Sequence, residues 1–272
     1  MKLPRIGFKK ISGGVFLVGS SLRSHPYDCA VYAISGPSGA VMIDCGSPMG
    51  LDHILKNMRA AGIEPESVEL IIGTHCHYDH VGSAAEFKRR FPAAKLAMHA
   101  ADSAPVESGD SAITCADWLF GETVEPAVID FQLEPGDEIF AAGGLRFEIF
   151  HTPGHSPGSL TILLESEGRK IAFTGDSYIP SCDRVGYDFE SLVETWRRLL
   201  SLDADLVCPG HENHSSVDPV VLAMSGVIPA NFLLKTLEAS KIVKPLASAS
   251  SFYYEHIGVM LKPFRGLIES KF

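Results

Sequence analysis

Within six residues, His75-Cys76-His77-Tyr78-Asp79-His80, the chain gathers three imidazoles and a carboxylate. No other stretch constrains the fold as strongly, because so many ligand groups crowded into one turn's length are costly to fold around unless a cation binds them. Apolar runs elsewhere lead into the same chemistry. Residues 68–72 run into Thr74-His75, and 147–150 into Thr152-Pro153-Gly154-His155. Residues 171–173 run into Thr174-Gly175-Asp176, and 206–208 into Pro209-Gly210-His211. Strand-like runs that all end in ligand types predict loops converging at one edge of a layered sheet protein, held rigid by the strands beneath.

The resulting inventory is His75, His77, Asp79, His80, His155, Asp176 and His211, five imidazoles and two carboxylates. That is more than one tetrahedral site can use. Imidazole suits zinc or iron and a carboxylate can bridge two ions, so the set predicts a two-metal centre. The expected cofactor is a pair of divalent ions, zinc first, with iron or manganese as alternatives.

Apolar runs at 15–18, 30–34 and 40–44 read as strands, and Gly36-Pro37-Ser38-Gly39 makes a hairpin of the last two. Leu51, Ile54, Leu55 and Met58 recur at helical spacing within 49–61, ahead of Gly62. A strand over 68–72, a helix over 82–91 and a strand over 95–98 follow. The segment 100–125 mixes small residues with Pro105 and predicts only a short helix near 117–120. From 131 to 174 the pattern is β-rich, with runs at 131–133, 138–141, 145–151, 160–164 and 170–174 separated by tight-turn residues. Leu192, Val193, Trp196, Leu199 and Leu200 predict one amphipathic face of a helix over 189–200, before a strand at 205–208. Helices near 218–224 and 231–240 and an alternating aromatic stretch at 252–261 complete the reading. With no repeat and no dividing linker, the expectation is one domain over 1–272, of mixed α/β (α+β) class with two mixed sheets covered by helices. Residues 215–272 form a helical and strand extension without an assigned role.

The chain of 272 residues is 46% hydrophobic, ample for a packed core, and its formal net charge of -10 repels phosphate backbones and anionic lipid heads. Nucleic acid is therefore excluded as an expected partner. Neither a secretory leader pattern at 1–11 nor an apolar run of the ~18 residues a membrane helix needs is present. Six scattered cysteines without a C-x-x-C pair suit reduced thiols, and the cytoplasm is the expected location.

The pattern H-x-H-x-D-H at 75–80, followed in order by His155, Asp176 and His211, resembles the metallo-β-lactamase superfamily of hydrolases. The resemblance spans about 15–212 and implies a four-layer αββα sandwich with the metal site at one edge. It implies that His75, His77 and His155 hold one ion, that Asp79, His80 and His211 hold the other, and that Asp176 bridges them. Asp44 resembles the buried aspartate that supports the metal loop in that family. The commonest zinc β-lactamases carry cysteine where this chain has Asp176, whereas thioesterases resembling hydroxyacylglutathione hydrolase, and lactonases, carry aspartate. Thr174-Gly175-Asp176, Cys182-x-Arg184 and Gly210-His211-Glu212 look like the glyoxalase-type pattern, although its Gly-Cys-Gly-Arg is here Ser181-Cys182-Asp183-Arg184. The Lys/Arg-rich glutathione-binding helices of that enzyme are not evident after Glu212.

The expected activity is hydrolysis of a small thioester or ester by a metal-bridging hydroxide, with Asp79 and Asp176 as the catalytic carboxylates. A lactonase, a mononuclear iron persulfide dioxygenase and a non-catalytic metal-bearing sensor are the alternatives. Tyr178 and Arg184 are candidates for substrate contact, whereas Cys76 and His151 read as structural. The expected partner is a small-molecule substrate, without a membrane or nucleic acid; a homodimer is left open.

Overall fold

Apolar runs such as Ala40-Val41-Met42-Ile43 carry no polar alternation, which is the pattern of strands buried on both faces. The computed structural model describes residues 7–134, 137–179, 181 and 183–211, all within the compact unit Met1–Ser215. The elements expected near 218–224, 231–240 and 252–261 lie outside the described residues.

The first sheet holds β1 (Lys9–Ser12), β2 (Val15–Gly19), β3 (Val31–Ser35), β4 (Ala40–Ile43), β5 (Val68–Ile72), β6 (Lys95–His99) and β7 (Phe131–Leu133), in that spatial order. β1 to β4 pair antiparallel, and β4 to β7 pair parallel. The second sheet comprises β8 (Asp137–Ala142), β9 (Leu145–His151), β10 (Leu160–Ser166), β11 (Arg169–Gly175) and β12 (Leu206–Pro209). It is an antiparallel meander up to β11, with β12 added in parallel. Both sheets are therefore mixed, as the sequence predicts.

Alternation along the strands divides the core into two layers. Val41, Ile43, Leu70 and Ile72 pack with Phe147, Ile149, Ile162 and Phe173 between the sheets. Met42 and Ile71 point the other way and meet Leu51, Ile54 and Met58 of α1 (Leu51–Ala60), as well as Phe87. The helix expected over 82–91 is present, and a short helix that the sequence did not predict precedes it. α2 (Tyr78–Val81) begins inside the histidine cluster with His77 as its N-cap, and α3 (Ala84–Arg90), which carries Phe87, follows after Gly82-Ser83. A further helix, α4 (Ala100–Ser108), occupies the segment where only small residues and Pro105 were legible, and a π-helical turn spans Ala116–Phe120.

α5 (Phe189–Ser201) buries Leu192 and Leu199 and lies along the end of β9. Its Thr195 donates to the Pro153 carbonyl at 2.8 Å, and the Arg198 guanidinium sits 5.2 Å from the Phe150 ring centre. Gly154 is required at this junction. Its φ is +128°, and a Cβ there would lie 2.5 Å from the Leu192 backbone.

Candidate metal centre

Every candidate ligand leaves the carboxyl end of a strand. β5 delivers Thr74 and the 75–80 cluster, β9 delivers His155, β11 delivers Asp176, and β12 delivers His211. Cross-sheet bonds lock this edge: the Leu160 N–H donates to the Thr74 carbonyl at 2.8 Å, and the Tyr32 hydroxyl to the Pro209 carbonyl at 2.8 Å. The loops thus inherit the rigidity of both sheets.

Three imidazoles meet on one side. His77 Nδ1 lies 3.0 Å from His75 Nε2 and 3.1 Å from His155 Nε2. His155 Nδ1 donates to the Ile179 carbonyl at 2.8 Å, and since a carbonyl only accepts, this fixes the proton on Nδ1 and turns the bare Nε2 into the cluster. Burial holds His75 and His77 well below the usual imidazole range and lowers His155 as well, so all three are neutral at pH 7. Nitrogen lone pairs converging at such distances are complementary to a cation.

On the other side stand Asp79, His80 and His211, whose ligand atoms approach one another within 4.8 Å. His211 Nε2 is 3.4 Å from Asp79 Oδ2, and His80 Nε2 is 3.5 Å from the same oxygen. Burial opposes charge on His80, but the carboxylates of Asp79, Asp44 and Asp176 outweigh it and raise its pKa well above the usual value. His211 is also raised, with Asp176 overcoming the cost of burial. Asp176 reaches both sides. Its Oδ2 is 3.1 Å from His211 Nε2 and 3.6 Å from His155 Nε2, and its Oδ1 is 3.7 Å from His80 Nε2. Against the cost of burying it, the His211 and His80 rings hold its carboxyl well below the usual range.

The donor set fits divalent ions. His80 Nε2 and Asp176 Oδ1 are buried and face each other without a hydrogen-bond partner, a costly arrangement for two polar atoms unless a cation links them.

Asp44 sits beneath this edge at φ +58°, a left-handed conformation uncommon for a non-glycine residue. There its Oδ1 accepts from the Thr74 N–H at 2.7 Å, while Oδ2 accepts from Thr74 Oγ1 at 2.9 Å and from His80 Nδ1 at 2.8 Å. The last bond leaves His80 Nε2 free to face the site. Cys29 completes a further close group with Asp44 and His80 that the sequence did not reveal. Burial pushes its thiol well above the usual value, so it remains a protonated packing group.

Cys76 is buried in the core on the helical side of the first sheet. His151 stacks on His99, ring centres 4.0 Å apart, and donates from Nε2 to the Pro157 carbonyl. Tyr178 is buried, and Arg184 is exposed with its guanidinium 5.8 Å from the Trp118 ring centre. The described cysteines, Cys29, Cys45, Cys76, Cys115 and Cys208, are free thiols. No helix among the described residues is long and apolar enough to cross a membrane.

The family described as the metallo-beta-lactamase superfamily matches residues 26–211. Human acyl-coenzyme A thioesterase MBLAC2 is 28% identical over 239 residues, covering 75% of this chain and 80% of that protein. Hydroxyacylglutathione hydrolase GloC of Haemophilus influenzae is 30% identical over 158 residues, covering 56% of this chain and 72% of that one. Among solved structures, the metallo-beta-lactamase MIM-1 from Novosphingobium pentaromativorans superposes with a TM-score of 0.66 at 24% identity, covering 90% of this chain and 93% of that one. At that identity the likeness is one of fold.

Proposed function

The chain belongs to the metallo-beta-lactamase superfamily, and from that premise we propose that it is a dinuclear metallohydrolase of small thioesters or esters. His75, His77 and His155 would hold one divalent ion and Asp79, His80 and His211 the other, with Asp176 within reach of both groups. The observation that carries this reading is the reach of Asp176, whose carboxylate lies within 3.7 Å of ring nitrogens from both histidine groups. Two of the relatives are named for thioester cleavage, which supports the substrate class.

When bound, divalent ions supply Lewis acidity, polarising a carbonyl and lowering the pKa of water from 15.7 to about 7. The remaining work falls to the protein. Asp79 and Asp176 are only acceptors when ionised, so each can hold a nucleophilic water by its proton and aim the oxygen lone pair at the carbonyl carbon. The same carboxylates then carry the released proton toward the departing thiolate or alkoxide. Asp44 holds His80 in register by accepting a hydrogen bond from its Nδ1–H. Arg184, exposed beside Trp118, and Tyr178, immediately after Asp176-Ser177, are the side chains proposed to meet substrate. One domain in the cytoplasm, acting on a small molecule, fits the free thiols and the formal net charge of -10.

The reading is tested by assaying zinc-, iron- and manganese-reconstituted protein against acyl-coenzyme A and glutathione thioesters, simple esters, lactones, β-lactams, phosphodiesters and a persulfide. Release of thiol from thioesters is expected. Turnover of the persulfide alone, with oxygen uptake, would replace hydrolysis with sulfur oxidation.

A further inference from the structure

α4 places a carboxylate where neither the sequence nor the ligand inventory gave reason to look. Asp102, in the first turn of that helix, is 1% exposed. Its Oδ2 accepts from the Cys76 backbone N–H at 3.0 Å and from Ser156 Oγ at 2.7 Å, and its Oδ1 accepts from the Gly158 N–H at 2.6 Å. Cys76 lies between the ligands His75 and His77, whereas Ser156 and Gly158 lie one and three residues after the ligand His155. One buried carboxylate therefore ties together the two loops that supply every nitrogen of the three-imidazole group.

We propose that Asp102 is a positioning residue for the first metal site, setting the distance between the His75–His77 loop and the His155 loop before any ion binds. Several features make it rigid. Bonds to an ionised acceptor are short and roughly twice as strong as neutral ones, and the positive end of α4 favours the charge. The helix start is itself fastened by His99, whose Nδ1 accepts from the Ala101 N–H at 3.1 Å. The approach on the loop side is equally tight. A Cβ on Gly158 would lie 2.6 Å from Asp102 Cγ, so only glycine lets the loop backbone come this close. Ser156 is held in turn, with its Oγ 2.7 Å from Ser159 Oγ. If Asp102 is removed, two backbone N–H groups lose their acceptor and the loops lose their common anchor.

The inference rests on the proposed metal site, and the test separates the two. Zinc affinity and stoichiometry are measured by competition with a chromophoric chelator for the wild type, Asp102→Asn and Ser156→Ala. The visible cobalt(II) spectrum and the melting temperature of the metal-free proteins are recorded in parallel. Replacing groups that orient metal ligands commonly weakens metal binding by about 10–100-fold, and Asp102→Asn is expected to do so for one of two ions, with an altered cobalt spectrum. Ser156→Ala, which leaves both backbone bonds in place, is expected to weaken the same ion a few-fold, and it decides the matter if Asp102→Asn does not fold. Lowered melting temperatures with wild-type zinc affinities and an unchanged cobalt spectrum would reduce Asp102 to a fold-stabilising residue and overturn the inference. A wild-type protein that binds no divalent ion would instead overturn the metal-site reading beneath it.

Discussion

Three neutral imidazoles from two loops form one half of the centre, whereas Asp79, His80 and His211 form the other around carboxylate charge. The first half is supported through backbone, by Asp102 on the loops that carry its histidines. The second is supported through a side chain, by Asp44 on the His80 ring. The contrast teaches how one fold edge can present two candidate cation sites of different electrostatic character. Neutral nitrogens accept a dication without giving up a proton, whereas the second group already satisfies its charges internally and must exchange protons for metal.

The comparison breaks most severely at the residue that joins the halves. Asp176→Ala should lower thioesterase turnover by about two to three orders of magnitude, the several kcal/mol that held cations contribute to a developing charge. Metal content measured by elemental analysis should fall with it; a mutant with full activity and two ions would show that the halves do not depend on this carboxylate. Asp79→Asn alters one half alone. Turnover should again be lost, while one ion is retained by the three imidazoles, and loss of both ions would contradict separate halves.

Smaller perturbations sharpen the contrast. Asp44→Asn is expected to weaken one ion by about 10–100-fold without displacing the other, because His80 is the one candidate ligand ring that bonds to it directly. Chelator titrations of the mutant would show this as a split of two affinities. The subtlest difference is in protons. The His80 pKa is raised well above the usual imidazole range and the His211 pKa is raised as well, favouring their protonated forms in the metal-free protein, whereas those of His75, His77 and His155 are lowered. Calorimetry in buffers of different ionisation enthalpy should therefore find one ion binding with proton release and a strong loss of affinity as pH falls, and the other nearly indifferent. Equal proton release from both would erase the distinction.

Legibility in the sequence follows the same divide. The candidate ligands are readable because imidazole and carboxylate clustered after apolar runs have few other uses, and the strands are readable because they are buried on both faces. Asp44 became readable through the family resemblance. Asp102 was not, because its partners are backbone N–H groups of Cys76 and Gly158, which leave no trace in residue type. Its helix was hidden as well. The N-cap of α4 is a histidine rather than the usual Ser, Thr, Asp or Asn, and Pro105 interrupts the periodic signal. β1 escaped notice because Lys9-Lys10-Ile11-Ser12 is an exposed edge strand that reads as a polar terminus. α2 is not legible in the sequence for a tertiary reason: the histidine cluster itself turns helical at Tyr78, with Cys45 and Gly46 donating to the His80 carbonyl beneath it.

The most direct measurement counts ions and turnover on one preparation: metal content per chain by elemental analysis, alongside thiol release from acyl-coenzyme A and glutathione thioesters. Two divalent ions per chain, with activity lost on chelation and regained as the second ion is restored, is the predicted result. One iron per chain, with oxygen consumed on a persulfide and no thioester cleaved, would contradict the account at its centre.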